Sequence, residues 1–284
     1  MRRCCKRRRC DSVRVRRPHE YAAYASPAYT LAMALEDAVR SWRQHFASRP
    51  SAISADDVLK KRYLPMYRGM GLTNAPELAA QLVADRLVAV NEMTIGHLNE
   101  RVMEEVCGAR KLTDDEKKEW VGIDFRKEHG RRVYLINLKA STRTPNSSIG
   151  RDTQRTLLDA VQHEEEVQSL RGPRRDDNPL PATEGGIIGI AGFARGSSGR
   201  TETNSDGVRL LRLVGDALWE ELGAGPRFTR QLSQEMGREA IDRARWTAEI
   251  QRAVERVIRA ITVAECVAPD GSLDWDCLIE RFPD

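Results

Sequence analysis

Two strand-like runs, residues 121–127 and 132–139, flank a single His129-Gly130 pair, and so short a gap leaves room for little but an antiparallel hairpin. Glycine supplies the positive φ that a tight turn requires. With His129 and Gly130 as the two loop residues, Glu128 pairs with Arg131 and Asp124 lies opposite Leu135. Side chains alternate along a strand, so Val133, Leu135, Asn137 and Lys139 share one face and Asp124 joins it from the neighbouring strand. Tyr134, Ile136 and Leu138 point the other way, into a core. An Asp, an Asn and a Lys therefore converge at the end of an otherwise apolar sheet.

That convergence has a chemical use. An Asp can hold Mg²⁺ against a phosphodiester, the ion polarises a phosphoryl oxygen and acidifies water, and a nearby Lys helps position or deprotonate that water. Burying Lys139 among apolar strand residues would be costly without such a partner. A plain surface hairpin, its polar residues facing water, accounts for the same spacing.

The wording of the stretch adds a resemblance. GIDF…YLINLKAS…NSS resembles the type II restriction endonucleases of the PmeII-type family, within the PD-(D/E)xK nuclease superfamily. The resemblance implies an α/β fold with a restriction-endonuclease-like core, a mixed central β-sheet flanked by α-helices. It also implies that Asp124 is a metal ligand and Lys139 the catalytic lysine. The superfamily's second acid falls at Asn137, which offers a neutral carbonyl oxygen and no charge, so a carboxylate from elsewhere has to help.

Residues 92–100, EMTIGHLNE, resemble the family's segment before the hairpin. Such nucleases often bring a Glu from this helix to the metal. Glu100 is the first candidate, with Glu104 one turn further on and Glu92 about two turns before; all three also read as solvated helix-face carboxylates. The implied catalytic set is then Asp124, Asn137, Lys139 and Glu100, with Mg²⁺ held by Asp124, Asn137 and Glu100. After Lys139, a loop rich in turn formers and phosphate hydrogen-bonders leads to a helix that runs to about Leu170, capped by Asn146, Ser147 or Ser148. Its free N–H groups, with Ser141, Arg143, Asn146, Ser147, Ser148 and Arg151, make a candidate clamp on the DNA backbone. Ordinary capping and surface arginines account for the same residues without DNA.

The rest of the chain bounds this reading. The formal charge of +4 misleads, because residues 1–17 hold nine Lys/Arg and one Asp, leaving −4 for the other 267 of the 284 residues. The body is mildly acidic, and any DNA site must be a local basic surface. Residues 1–32 are expected to be a disordered basic extension, with Met33 as an alternative start and residues 33–284 as a single nuclease domain. Adjacent Cys4 and Cys5 suit no usual zinc spacing, so the readings of residues 1–17 are a nucleic-acid-binding arm or a plain extension. Cys107, Cys266 and Cys277 are scattered, which fits a reducing compartment without a disulfide framework, hence a cytoplasmic location. No 18-residue apolar run offers a membrane span.

Helical spacing marks residues 34–46, through Leu35, Val39, Trp42 and Phe46, and a start at Ser54 before Val58-Leu59. Residues 77–106 form a long helix or two, and 108–120 a charged connector. Strands are expected over 187–194 and 208–214 with a flexible Gly-rich loop, 196–207, between them; no Gly-Lys-(Ser/Thr) makes it a phosphate loop. A short helix containing Trp219 ends at Gly223, and 228–267 is mostly helix, buried through Leu232, Met236, Ala240, Trp246 and Ile250 among others.

Together these imply Mg²⁺-dependent cleavage of double-stranded DNA at a short site by a homodimer, within a restriction–modification system whose DNA methyltransferase protects the host. Two rivals stay open: a catalytically weakened DNA-binding relic of such a nuclease, and an interaction protein without a nucleic-acid role.

Overall fold

A computed structural model describes residues 27–130, 132–140, 147–170, 186–205 and 207–283. Its centre is a six-stranded mixed sheet, in the order β1-β2-β3-β4-β6-β5. β2 (Phe125–His129) runs antiparallel to both of its neighbours, β1 (Arg110–Lys111) and β3 (Arg132–Lys139), and β3 then lies parallel to β4 (Gly186–Phe193). β4 is parallel to β6 (Val208–Val214), and β5 (Gly199–Ser205) closes the far edge antiparallel to β6. The mixed sheet with helices on its faces is the restriction-endonuclease-like α/β class expected from the sequence.

β3, β4 and β6 read as near-continuous apolar runs because both faces are covered. On one face Tyr134, Ile136, Ile190, Leu211 and Leu213 pack against α1 (Pro27–Ser48), the end of α4 (Ala75–Arg101), α7 (Asp216–Glu221) and α8 (Phe228–Arg238). On the other, Val133, Leu135, Ile187 and Leu210 pack against Leu157, Ala160 and Val161 of α6 (Ser147–Leu170). α6 is the crossover that two neighbouring parallel strands, β3 and β4, require. Close packing of α6 depends on Gly189, where an added Cβ would stand 2.6 Å from Leu210 Cδ2 and 3.3 Å from Leu157 Cβ.

A second apolar cluster is purely helical. The first half of α4 packs with α2 (Ala55–Leu59), α3 (Leu64–Gly69), α9 (Arg243–Val263) and α10 (Trp275–Arg281) through Leu59, Tyr67, Leu78, Leu82, Val257 and Leu278. α4 thus runs from this bundle to the sheet and delivers its last turns there. Asn74 caps its start, accepting from Glu77 N at 3.0 Å, and a π-helical turn, Val102–Val106, ends it. Ser54 caps α2 in the same way, accepting from Asp57 N at 3.0 Å.

Several expectations need correction. His129 pairs with Arg132 and so belongs to β2, with Gly130 at φ +60° after it, which corrects the expected His129-Gly130 loop. Phe125 pairs with Ile136, which sets Asp124 beside Asn137 instead of Leu135. The shift is two residues, so the face assignments along β3 survive it, with Val133 and Leu135 on one side and Tyr134, Ile136 and Leu138 on the other. The 108–120 connector contains β1 and α5 (Glu116–Glu119), and the 196–207 loop contains β5. β5, GRTETNS, is an exposed edge strand, so it carries no apolar alternation to read.

Helix 228–267 breaks before Asp242, which caps α9 by accepting from Arg245 N at 3.0 Å, and Ala240 is exposed in that break. Cys266 and Cys277 form a disulfide where α10 folds back on the end of α9, which corrects the expectation of unpaired cysteines; Cys107 is free and buried. α1 begins at Pro27 and runs through the boundary expected at Met33, while residues 1–26 lie outside the described residues. Among the described residues no helix is long and apolar enough to cross a membrane.

Candidate active site

Asp124 immediately precedes β2 and is pinned on both sides by its backbone. Its N–H donates to Ile136 O at 2.8 Å, and its carbonyl accepts from Leu112 N at 3.0 Å. Its side-chain Oδ2 accepts from Leu138 N at 2.8 Å. A carboxylate bonded to a main-chain N–H makes a strong, short bond, which fixes the Asp124 side chain at the end of β3. There Lys139, the last residue of β3, stands exposed.

Glu100 arrives from a different direction, on the last turn of α4. Asp124, Lys139 and Glu100 line one cavity of about 100 Å³, together with Gly96, Asn99 and the apolar Leu138. Three residues singled out in the sequence, separated by as many as 39 positions, thus meet at one place. Glu100 is not free there. Its Oε2 lies 2.7 Å from Lys111 Nζ and 3.5 Å from His97 Nδ1. Partial burial pushes the Glu100 carboxyl up, and the hydrogen bonds and charges of Lys111 and His97 together more than offset this, so the net direction is down. Glu104 is exposed one turn beyond and acts on the same ammonium, while Glu92 is exposed and outside the cavity lining.

Asn137 does not line the cavity with the other three. It is buried, 6% exposed, and its Nδ2 donates to the carbonyl of Gly122. Its Oδ1 is buried without a hydrogen-bond partner. In this arrangement Asn137 ties down the 121–124 segment that presents Asp124. Gly122 in turn has φ +74°, and a Cβ there would stand 2.5 Å from Thr156 Cγ2 of α6. Gly122→Ala therefore combines a left-handed backbone with a clash. A destabilisation of about 1–3 kcal/mol is expected by chemical denaturation, and a wild-type midpoint would contradict it.

Two participants escaped the sequence reading. Asn99 lines the cavity, is 3% exposed and has a buried Nδ2 without a partner, so a donor waits there for an acceptor. Its only signal was its place beside Glu100. Lys111 sits on β1, a strand of two residues with no periodicity to announce it. Of the candidate DNA contacts, Ser141, Arg143 and Asn146 lie outside the described residues. Ser147 and Ser148 open α6, and Arg151 is exposed one turn later.

The donor set suits a hard, hydrated ion. Among the described residues no group of three or more His, Cys, Asp and Glu is placed to hold a metal. Mg²⁺ asks for less, since it keeps several waters and takes one or two carboxylates plus substrate phosphate. Asp124 and Glu100 could supply the two carboxylates, and the unpartnered Oδ1 of Asn137 is a spare neutral oxygen nearby in sequence and register.

Comparison with known proteins agrees with this geometry. A family model described as type II restriction endonuclease EcoO109I matches residues 31–244, about three quarters of the chain. The matched span takes in the whole sheet, α4 and all four residues of the implied catalytic set. It is not the PmeII-type family that the hairpin's wording resembles. No curated protein matches the chain. On a match of this extent, across a mixed α/β fold with an Asp, a Glu and a Lys gathered at the end of β3, the chain belongs to the type II restriction endonuclease EcoO109I family.

Proposed function

We propose that the protein is a Mg²⁺-dependent endonuclease that hydrolyses double-stranded DNA at a short recognition sequence, as the nuclease of a cytoplasmic restriction–modification system. The observation that carries this reading is the single cavity shared by Asp124, Glu100 and Lys139 inside the family-matched segment. Asp124 and Glu100 would hold the ion, and Asn137 would brace the segment that presents Asp124, with its Oδ1 in reserve as a neutral ligand. Bound there, Mg²⁺ supplies Lewis acidity at a phosphoryl oxygen. Lys139, exposed at the strand end, donates to the water or to a non-bridging phosphate oxygen and so orients the attack. The segment 141–148 and Arg151 follow Lys139 directly in the chain, which supports a role in holding the DNA backbone beside the cut.

Cutting both strands of a symmetric site is most simply done by two copies of one active site, so a homodimer belongs to the proposal, as does a DNA methyltransferase encoded nearby. The PmeII-type likeness rests on local wording alone, GIDF…YLINLKAS…NSS.

One observation favours a second reading. Asn137 stands where the superfamily carries an acid, and Glu100 is already paired with Lys111, which suits a weakened DNA-binding relic. A metal switch separates the two. Plasmid DNA bound in Ca²⁺ should be cut when Mg²⁺ is added, with affinity that falls as salt rises. Plasmid that stays bound and intact in Mg²⁺ and in Mn²⁺ would establish the relic, and no salt-dependent binding would remove nucleic acid altogether.

A further inference from the structure

Glu100 lines two spaces at once. One is the small cavity with Asp124 and Lys139; the other is a groove of about 670 Å³ between α1 and the end of α4, where Lys111 lies with His45, His97, Arg101 and Glu104. The Lys111 ammonium stands at this junction, 2.7 Å from Glu100 Oε2, and the charges of Glu104 and Asp124 act on it as well. One cation on the first strand thus neutralises carboxylates from α4, from the π-turn after it and from the hairpin. A divalent ion in the cavity would need two of these carboxylates, those of Glu100 and Asp124.

We propose that Lys111 is a built-in counter-ion that competes with the divalent metal for Glu100 and must yield it before the metal is held tightly. The proposal rests on the nuclease reading above. Its logic is charge balance. With Lys139 in the cavity lining and Lys111 on Glu100, two ammonium groups stand against the carboxylates of Asp124 and Glu100, and the site attracts a dication weakly. Once Lys111 turns away, one of those ammonium groups is gone and the site becomes more attractive. The ammonium is part-exposed on a flexible four-carbon stem and borders the groove, so it can turn without disturbing the core. A DNA phosphate in the groove would offer it the replacement anion, so that docked DNA would raise the metal affinity of the site.

The test is Mn²⁺ binding to the full chain without DNA, followed by electron paramagnetic resonance, which reads free Mn²⁺ and needs no turnover. Lys111→Met should bind Mn²⁺ about tenfold more tightly than wild type, and Lys111→Arg, which keeps the charge, should stay within about twofold. The gain should vanish in Lys111→Met/Glu100→Gln, because Glu100 is the group released. Lys111→Met affinity equal to or weaker than wild type, with binding still lost in Asp124→Ala, would overturn the counter-ion role and leave the nuclease reading standing. Mn²⁺ binding indifferent to Asp124 in every variant would sink the metal reading itself and the proposal with it. Thermal melts of each variant check folding, and Lys111→Met should melt close to wild type because its side chain is 39% exposed.

Discussion

If Asp124 anchors the metal as proposed, Asp124→Asn should lower the rate of DNA cleavage by about a thousandfold or more while leaving DNA binding in Ca²⁺ nearly unchanged. The amide keeps an acceptor for Leu138 N–H, so the hairpin end is not released, but it removes the charge that would anchor the proposed metal. Losing that anchor removes several kcal/mol of stabilisation from the developing phosphoryl charge, and each 1.4 kcal/mol or so is a tenfold loss in rate. Lys139→Ala should cost about 10²–10⁴-fold by removing the group that orients or deprotonates the water. Lys139 is exposed, so this variant should fold as wild type does. Single-turnover cleavage with excess protein separates both effects from binding. Cleavage within tenfold of wild type in either variant would mean that the chemistry lies elsewhere.

The second large effect concerns stability. Arg126 of β2 reaches across the hairpin to Glu164 of α6 at 2.9 Å, with side chains only 16% and 2% exposed. Arg126 also holds Glu128, and Gln168 Nε2 donates to Glu164 at 3.0 Å. Arg126→Met leaves a buried carboxylate with one neutral donor. Breaking a buried pair in this one-sided way costs about 3–5 kcal/mol, roughly a 10 °C fall in melting temperature for a chain of this size. Removing both charges is different. Arg126→Met/Glu164→Leu should recover most of the loss, because an apolar pair of similar volume replaces the ion pair without a desolvation penalty. A single variant that melts like wild type would show that the pair contributes nothing to holding α6 against the hairpin.

What the sequence made legible follows from what was buried. β3, α6 and β6 are readable because each must present apolar residues to helices or strands that cover it, and their observed limits are those the pattern gives. β5 has no buried face, and β1 is two residues long, so neither leaves a periodicity. The hairpin register went wrong for a local reason. Gly130 takes positive φ as the first residue of the loop, whereas its position after His129 suggests the second. Because the error was even, the two faces of β3 stayed as expected, and Asp124 now lies opposite Asn137 in register.

The site shows the same division. Asp124 and Lys139 were visible because a charge at the end of an apolar strand demands a partner. Glu100 was put ahead of Glu92 and Glu104 on the likeness of EMTIGHLNE to the family's segment before the hairpin, and the cavity lining contains it. Asn137 was expected among the metal ligands; its Nδ2 is used on Gly122 O, and its Oδ1 is left without a partner. Lys111 was invisible because what makes it matter is a contact between β1 and α4, which no local pattern encodes.

The most direct measurement is digestion of unmethylated phage DNA by the purified full chain in Mg²⁺, in Mn²⁺ and in EDTA, with the fragment ends sequenced. Discrete fragments that need a metal and share one short sequence at their ends are the expected result. DNA left intact in every lane, or cut at random ends without regard to metal, would contradict the assignment of Asp124, Glu100 and Lys139 as a metal-dependent, site-specific nuclease centre.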